Sequence, residues 1–173
     1  AVMAYTADGT GSVELEPGRY DLWVSRGFEY SVHRQCLEVP PYVAARVTAA
    51  VNREVDTTGW VSGDFHMHGV NSFDSDLNYD RMVVSAVAED VQMIAATDHD
   101  VVTDISRYVE ALGLRHRLVA AAGQEVTPIE TGHIVGFPVR YDARKPEHGA
   151  LDWTRRDACL LDPGRGALLP VME

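Results

Sequence analysis

The sequence lacks three features that would place it in a specialised class. Its hydrophobic runs all fall short of the roughly 20 residues that a membrane-spanning helix needs, so we expect no membrane segment. The N-terminus shows no basic stretch followed by an apolar one, and therefore no signal peptide. We expect a soluble protein, with export left open if a leader lies upstream of Ala1. The two cysteines, Cys36 and Cys159, match no zinc spacing, and we interpret them as buried or free thiols.

Basic residues are also scarce. The 15 Lys and Arg residues are outnumbered by 26 Asp and Glu residues, which gives a formal net charge of −11. Proteins that bind nucleic acid carry a basic footprint, and none is visible here. We therefore expect no nucleic-acid polymer as a partner, while the oligomeric state stays open.

Residues 1–56 are predicted to form a β module. Candidate strands cover 19–25, 28–39 and 43–51, separated by Arg26-Gly27 and by Pro40-Pro41. Short strands at this spacing indicate a small sandwich. The string LEPGRY at 15–20 resembles the hairpin of transthyretin-like or carboxypeptidase-regulatory-like modules. The aromatic side chains are expected to fill the sandwich core, with a binding face as the alternative; they are Tyr20, Trp23, Phe28 and Tyr30.

Residues 57–173 show a different pattern, in which strands alternate with helices as in parallel βα units. The predicted strands cover 59–65, 91–97, 118–122 and 132–139, and the predicted helices cover 79–89 and 104–112. A short helix over 152–158 and a strand over 167–172 complete the pattern. The second region is therefore predicted to be an α/β domain.

The string DFHMH at 64–68 ends the first of these strands. Side chains two residues apart in a strand share a face, so His66 and His68 are expected to project together. Two neutral imidazoles side by side supply half of a transition-metal site. Two unrelated surface histidines are the alternative.

Three further polar clusters follow predicted strands: TDHD at 97–100, GQEVT at 123–127 and TGH at 131–133. The C-terminal strand ends of an α/β barrel meet at the edge where its active site forms, so we expect these clusters to converge. Imidazole and carboxylate ligands suit zinc, manganese or iron(II). The candidate metal ligands are His66, His68, Asp74, His99, Glu125 and His133.

Each cluster also has a simpler interpretation. His133 beside a glycine fits a structural role, and Asp100 fits a helix N-cap. Asp76 fits the role of ligand as well as Asp74 does. Asp98 is expected to orient an imidazole rather than to bind a metal. The metal interpretation is favoured because four separate clusters fall at strand ends.

The strings SGDFHMH, AEDVQMIAATDHD, GQEVT and TGHIVGFP resemble the PHP (polymerase and histidinol phosphatase) superfamily of metallohydrolases. The CehA/McbA-like branch, in which a β-rich module can precede the catalytic domain, is the most similar. The resemblance implies a distorted (β/α)7 barrel, here a partial one, with two or three divalent metal ions. It also implies further ligands, which we expect to lie beyond Glu173.

The function implied by the resemblance is a metal-dependent hydrolase acting on phosphoesters, so that the expected partner is a small-molecule substrate. Glu125, as a bridging carboxylate, and His99 are the residues given a catalytic role. The same branch includes carbamate ester hydrolysis, so a carbamate or carboxylic ester hydrolase is the alternative within the fold. A non-catalytic binding module and an inactive metal-binding fragment are the alternatives outside it.

Overall fold

A computed structural model describes residues 2–129 and 132–153. The predicted helix over 152–158 extends beyond these residues, and the predicted strand over 167–172 lies outside them, as does Cys159. A short 3-10 turn, Pro146–Gly149, follows the last described strand. Cys36 is exposed and is a free thiol.

The N-terminal region contains one antiparallel pair of strands, β1 (Gly18–Val24) and β2 (His33–Val39). The predicted third strand over 43–51 is absent, so the prediction of a β-sandwich is wrong for the described residues. Alanine occupies four of these nine positions, and such small side chains offer little apolar area for strand pairing. The connection between β1 and β2 instead contacts the chain just past the end of the first helix, where Arg26 pairs with Asp90 and Gly27 lies against Glu89.

The middle of the chain forms a β-α-β-α-β unit, in which the predicted alternation of strands and helices is observed. Its elements are β3 (Gly63–Met67), α1 (Tyr79–Ala88), β4 (Met93–Ala96), α2 (Ser106–Ala111) and β5 (Val119–Ala122). The three strands form a parallel sheet in the order β3-β4-β5. Each helix thus serves as the crossover that a parallel connection requires.

After β5 the chain departs from the predicted barrel. Strand β6 (Gln124–Val126) pairs antiparallel with β7 (Ile134–Gly136) and forms a separate two-stranded sheet. The connection, residues 127–133, is too short for the crossover of about a dozen residues that a parallel pair needs. The described residues contain two α-helices and three small sheets, so the prediction of a partial (β/α)7 barrel is wrong.

The hydrophobic core lies between α1, α2 and the parallel sheet. Helix α1 buries apolar side chains at positions 79, 82, 83, 86 and 87, the spacing of one helical face. Met82 and Ile94 are completely buried where α1 packs on β4. This packing holds the carboxyl ends of β3 and β4 side by side, and the histidines of those strands follow there.

Candidate metal centre

The described structure brings all six predicted ligands to one place. His66 lies in β3 and His68 directly after it, while His99 follows the end of β4. Glu125 is the middle residue of β6, and His133 immediately precedes β7. The sequence predicted that His133 follows a strand. It instead precedes β7, and it reaches the site because the start of β7 lies beside the end of its antiparallel partner β6.

Glu125 is the residue on which the histidines converge. Its Oε2 lies 3.1 Å from Nε2 of His66 and 3.1 Å from Nε2 of His68. Its Oε1 lies 2.9 Å from Nδ1 of His133, and Nδ1 of His99 is 3.5 Å from Oε2. One carboxylate therefore contacts four imidazoles, with its two oxygens facing different members of the set.

The ligand atoms fall into three groups that could each hold a metal ion, and within each group the atoms lie within 4.8 Å of one another. The groups are His66, His68 and Glu125; His68, Asp74 and His99; and His99, Glu125 and His133. Every pair of groups shares one residue, so the three positions are contiguous. Asp76 belongs to none of the groups, which leaves Asp74 as the carboxylate of this loop at the site.

Burial divides the site into a floor and a rim. The shared residues form the floor, since the side chains of Glu125 and His99 are 4% and 6% exposed. His66, Asp74 and His133 form the rim, where about half of each side chain is exposed. A ligand from solvent can therefore approach the rim, whereas the side chains of the floor are shielded from solvent.

The hydrogen-bond pattern around His68 fits a cation better than a metal-free site. Nδ1 of His68 lies 3.1 Å from Oγ of Ser72 and 3.5 Å from Oδ1 of Asp74. The Ser72 hydroxyl donates its only proton to Asp74, at 2.7 Å. In the neutral tautomer that donates from Nε2 to Glu125, the Nδ1 lone pair then faces only oxygens. In the other neutral tautomer the Nε2 lone pair faces the Glu125 carboxylate, at 3.1 Å. A bound cation removes that repulsion.

Two carboxylates of the site are held in the ionised form. Burial acts to raise the pKa of Glu125, but the hydrogen bond from His66, the charges of His99 and His66, and the hydrogen bond from His133 lower it overall. The hydrogen bond from Ser72 lowers the pKa of Asp74, and the nearby imidazoles of His68 and His99 lower it further. Ionised carboxylates are the form that binds divalent metals.

Two hydroxyl residues support the site and were not predicted from the sequence. Oγ of Ser72 accepts a hydrogen bond from the backbone N–H of His99, at 3.2 Å. Oγ1 of Thr127 lies 2.6 Å from Nδ1 of His99. The signal that could have revealed them is position, because Ser72 lies two residues before Asp74 and Thr127 two residues after Glu125.

Asp98 does not have the role that the sequence predicted. Its side chain is completely buried and contacts no imidazole among the described residues. Successive side chains of extended backbone point in opposite directions, so Asp98 faces away from the side on which His99 projects. The expectation that Asp98 orients an imidazole by direct contact is therefore wrong. Its carboxylate instead accepts hydrogen bonds from Gly69, Tyr79 and Thr103.

Comparison with known proteins adds no relative. No protein-family model matches the chain, and no curated protein matches it. The resemblance to the PHP superfamily therefore stays a hypothesis that depends on the motifs. Among the described residues, no helix is both long and apolar enough to cross a bilayer.

Proposed function

We propose that the protein is a metal-dependent hydrolase of small phosphoesters that uses two or three divalent ions, of zinc, manganese or iron. The observation that carries this proposal is the contact of one buried carboxylate, Glu125, with four imidazoles. Nitrogen and oxygen ligands of this kind suit these metals. Three contiguous groups that share ligands support more than one ion.

The residues divide the work according to their burial. Glu125 has two oxygens that face different imidazoles, which suits it to bridge two cations and to offset their repulsion. His99, on the floor, is fixed by its contact with Thr127. When bound, divalent cations supply Lewis acidity that activates water near neutral pH and polarises the oxygen under attack. The half-exposed rim leaves room for the substrate.

The chemistry of the scissile bond depends on the motif resemblance more than on the site. Phosphoesters come first because the PHP superfamily is named for its phosphatases, and because bound cations attract anionic substrates. A carbamate or carboxylic ester hydrolase would use the same residues, and so would an inactive metal-binding fragment. Turnover, measured on more than one substrate class, separates these alternatives.

The test compares the purified chain loaded in turn with zinc, manganese and iron(II), the last without oxygen. Bis(p-nitrophenyl) phosphate represents the phosphodiesters, and p-nitrophenyl acetate and a p-nitrophenyl carbamate represent the esters. Two variants accompany the wild type. Glu125→Gln keeps the shape and removes the charge at the site. His116→Ala removes an exposed histidine whose ring, among the described residues, is hydrogen-bonded to the backbone carbonyl of Gly113, away from the site.

We expect turnover of the phosphodiester that depends on added metal, falls by about 100-fold in Glu125→Gln and is unchanged in His116→Ala. Turnover of the acetate or the carbamate alone would support the ester alternative. A chain that binds metal and hydrolyses none of the three would support the inactive metal-binding fragment.

A further inference from the structure

Asp98 is a completely buried carboxylate directly behind the candidate metal centre. Its Oδ1 accepts a hydrogen bond from the backbone N–H of Gly69, at 2.6 Å. Its Oδ2 accepts hydrogen bonds from the hydroxyls of Tyr79 and Thr103. These donors come from three different segments: the turn that follows β3, the first residue of α1, and the loop before α2.

The direction of the hydrogen bonds shows that both oxygens of the Asp98 carboxylate act as acceptors. The backbone N–H of Asn71 donates to the Tyr79 oxygen, and the Asn71 side-chain amide donates to the Thr103 oxygen, both at 3.2 Å. The protons of both hydroxyls are thereby directed at Asp98. Burial, together with the hydrogen bond to Asp98, also raises the pKa of Tyr79, so that its hydroxyl remains a donor.

The carboxylate of Asp98 has no cationic partner among the described residues, since no Lys, Arg or His nitrogen forms an ion pair with it. The chain places this carboxylate one residue from His99 and, through Gly69, one residue from His68. Both histidines belong to two of the three metal-binding groups.

We propose that Asp98 is a positioning residue for the metal centre. Its hydrogen bond to Gly69 fixes the backbone that carries His68, while its own backbone fixes His99. This inference rests on the proposed metal-dependent function, because the residues that Asp98 positions are the candidate ligands.

The packing around Gly69 supports the positioning role. A Cβ atom at Gly69 would lie 2.2 Å from the ring of Tyr79, so this backbone is pressed against the residue that donates to Asp98. Asp98 also links the second half of the site, because its carbonyl oxygen accepts the backbone N–H of Glu125, at 2.9 Å. Asp98 is thus linked to three of the six candidate ligands. It precedes His99 in the chain, binds the backbone N–H of Glu125, and binds that of Gly69, which follows His68.

The test measures zinc affinity and thermal unfolding in four proteins: the wild type, Asp98→Asn, Tyr79→Phe and Asp104→Asn. Zinc is titrated in competition with a chromophoric chelator, and unfolding is followed with excess zinc and with excess EDTA. Asp98→Asn removes the charge and keeps the size. Tyr79→Phe keeps the charge and removes one donor. Asp104→Asn is the matched control, because the Asp104 carboxylate accepts its hydrogen bonds from Ser106 at the start of α2 and belongs to none of the three groups.

We expect the zinc Kd to rise about 10- to 100-fold in Asp98→Asn, to rise about fivefold in Tyr79→Phe, and to be unchanged in Asp104→Asn. The increase in Tm on adding zinc should be smallest in Asp98→Asn, intermediate in Tyr79→Phe, and equal to that of the wild type in Asp104→Asn. Should Asp98→Asn fail to fold, the zinc Kd of Tyr79→Phe tests the inference: an increase supports the positioning role, and an unchanged Kd contradicts it.

A merely structural role predicts a different pattern. Asp98→Asn would then lower the Tm equally with and without zinc, and the folded protein would bind zinc as the wild type does. That result would overturn this inference and leave the proposed function intact. If the wild type itself binds no zinc, manganese or iron, the proposed function fails together with the inference about Asp98. The metal affinity of the wild type therefore distinguishes failure of the inference alone from failure of the proposed function.

Discussion

The imidazole Nδ1 of His99 lies 2.6 Å from the hydroxyl oxygen of Thr127. This hydroxyl donates its proton to the backbone carbonyl of Glu125, at 3.0 Å, so its oxygen accepts the Nδ1–H of His99. The tautomer of His99 is thereby fixed with a free lone pair on Nε2. That atom faces Asp74, at 3.3 Å, within one of the three metal-binding groups. A hydrogen bond of this kind orients a metal-binding histidine and increases its basicity.

We predict that Thr127→Val weakens metal binding by about 10- to 100-fold, because it keeps the shape of the side chain and removes the hydroxyl that fixes His99. Thr127→Ser keeps the hydroxyl and should bind metal as the wild type does. Competition titration with a chelator measures both. Equal affinities for the valine and serine variants would show that Thr127 does not orient His99.

The convergence of the candidate ligands could be predicted from the sequence because their spacing reflects simple geometry. His66 and His68 share a strand face, and β3, β4 and β5 are joined by helices long enough for parallel pairing. The apolar spacing in α1 is likewise that of one buried helical face. These features depend on local periodicity, which a single sequence records.

The sheet after β5 could not be predicted from periodicity. Strands β6 and β7 have three residues each, too few for an alternating pattern to show. Gly123 joins β5 directly to β6, and a Cβ atom there would lie 2.7 Å from the carbonyl oxygen of Ala96. This close approach of two backbones turns the chain without a helix, and depends on contacts distant in sequence. The contacts of Ser72 and Thr127 with His99 are likewise distant in sequence, and only the positions of the two hydroxyl residues beside Asp74 and Glu125 pointed to them.

The N-terminal region is joined to α1 by a close backbone contact at Gly27. This glycine has a φ of 75°, and a Cβ atom there would lie 2.2 Å from the carbonyl oxygen of Glu89, just past the end of α1. We predict that Gly27→Ala lowers the free energy of unfolding by more than the roughly 1–2 kcal/mol that a left-handed alanine costs.

The matched control for this prediction is Gly113→Ala. Gly113 has a similar φ of 70°, but no atom lies within 4 Å of the position a Cβ would take, so only the backbone cost applies. Urea unfolding measures both variants. The packing of residue 27 on Glu89 would be contradicted if the two substitutions lowered the stability equally.

The same contact includes an ion pair that should make stability depend on pH. Asp90 pairs with Arg26 at 2.8 Å and with Arg53 at 3.5 Å, and accepts the hydroxyl of Tyr30 at 3.0 Å. Burial acts to raise the pKa of Asp90, but the hydrogen bonds from Arg26 and Tyr30 and the charges of both arginines lower it overall, below 3.8. The folded state therefore favours the ionised form more strongly than the unfolded state does.

A lowered folded-state pKa contributes stability that is fully present above the ordinary value of 3.8 and is lost as the pH falls through the lowered value. We predict that Asp90→Asn costs about 1 kcal/mol between pH 5 and 7, since both arginines are partly exposed. Below pH 3.8 the difference from the wild type should shrink. Urea unfolding in EDTA measures it, and a difference that is constant down to pH 2 would exclude this role.

We propose that Glu125 is a shared ligand of several cations in one centre. The number of metal ions bound per chain measures this directly. The chain is loaded with zinc, freed of excess by gel filtration and measured by elemental analysis beside Glu125→Gln and the surface control Glu110→Gln, whose side chain is mostly exposed. We predict two to three zinc ions per chain in the wild type and in Glu110→Gln. We predict about one or fewer in Glu125→Gln, because Glu125 belongs to two of the three groups. A wild type without zinc, or the same content in Glu125→Gln as in the wild type, would contradict it.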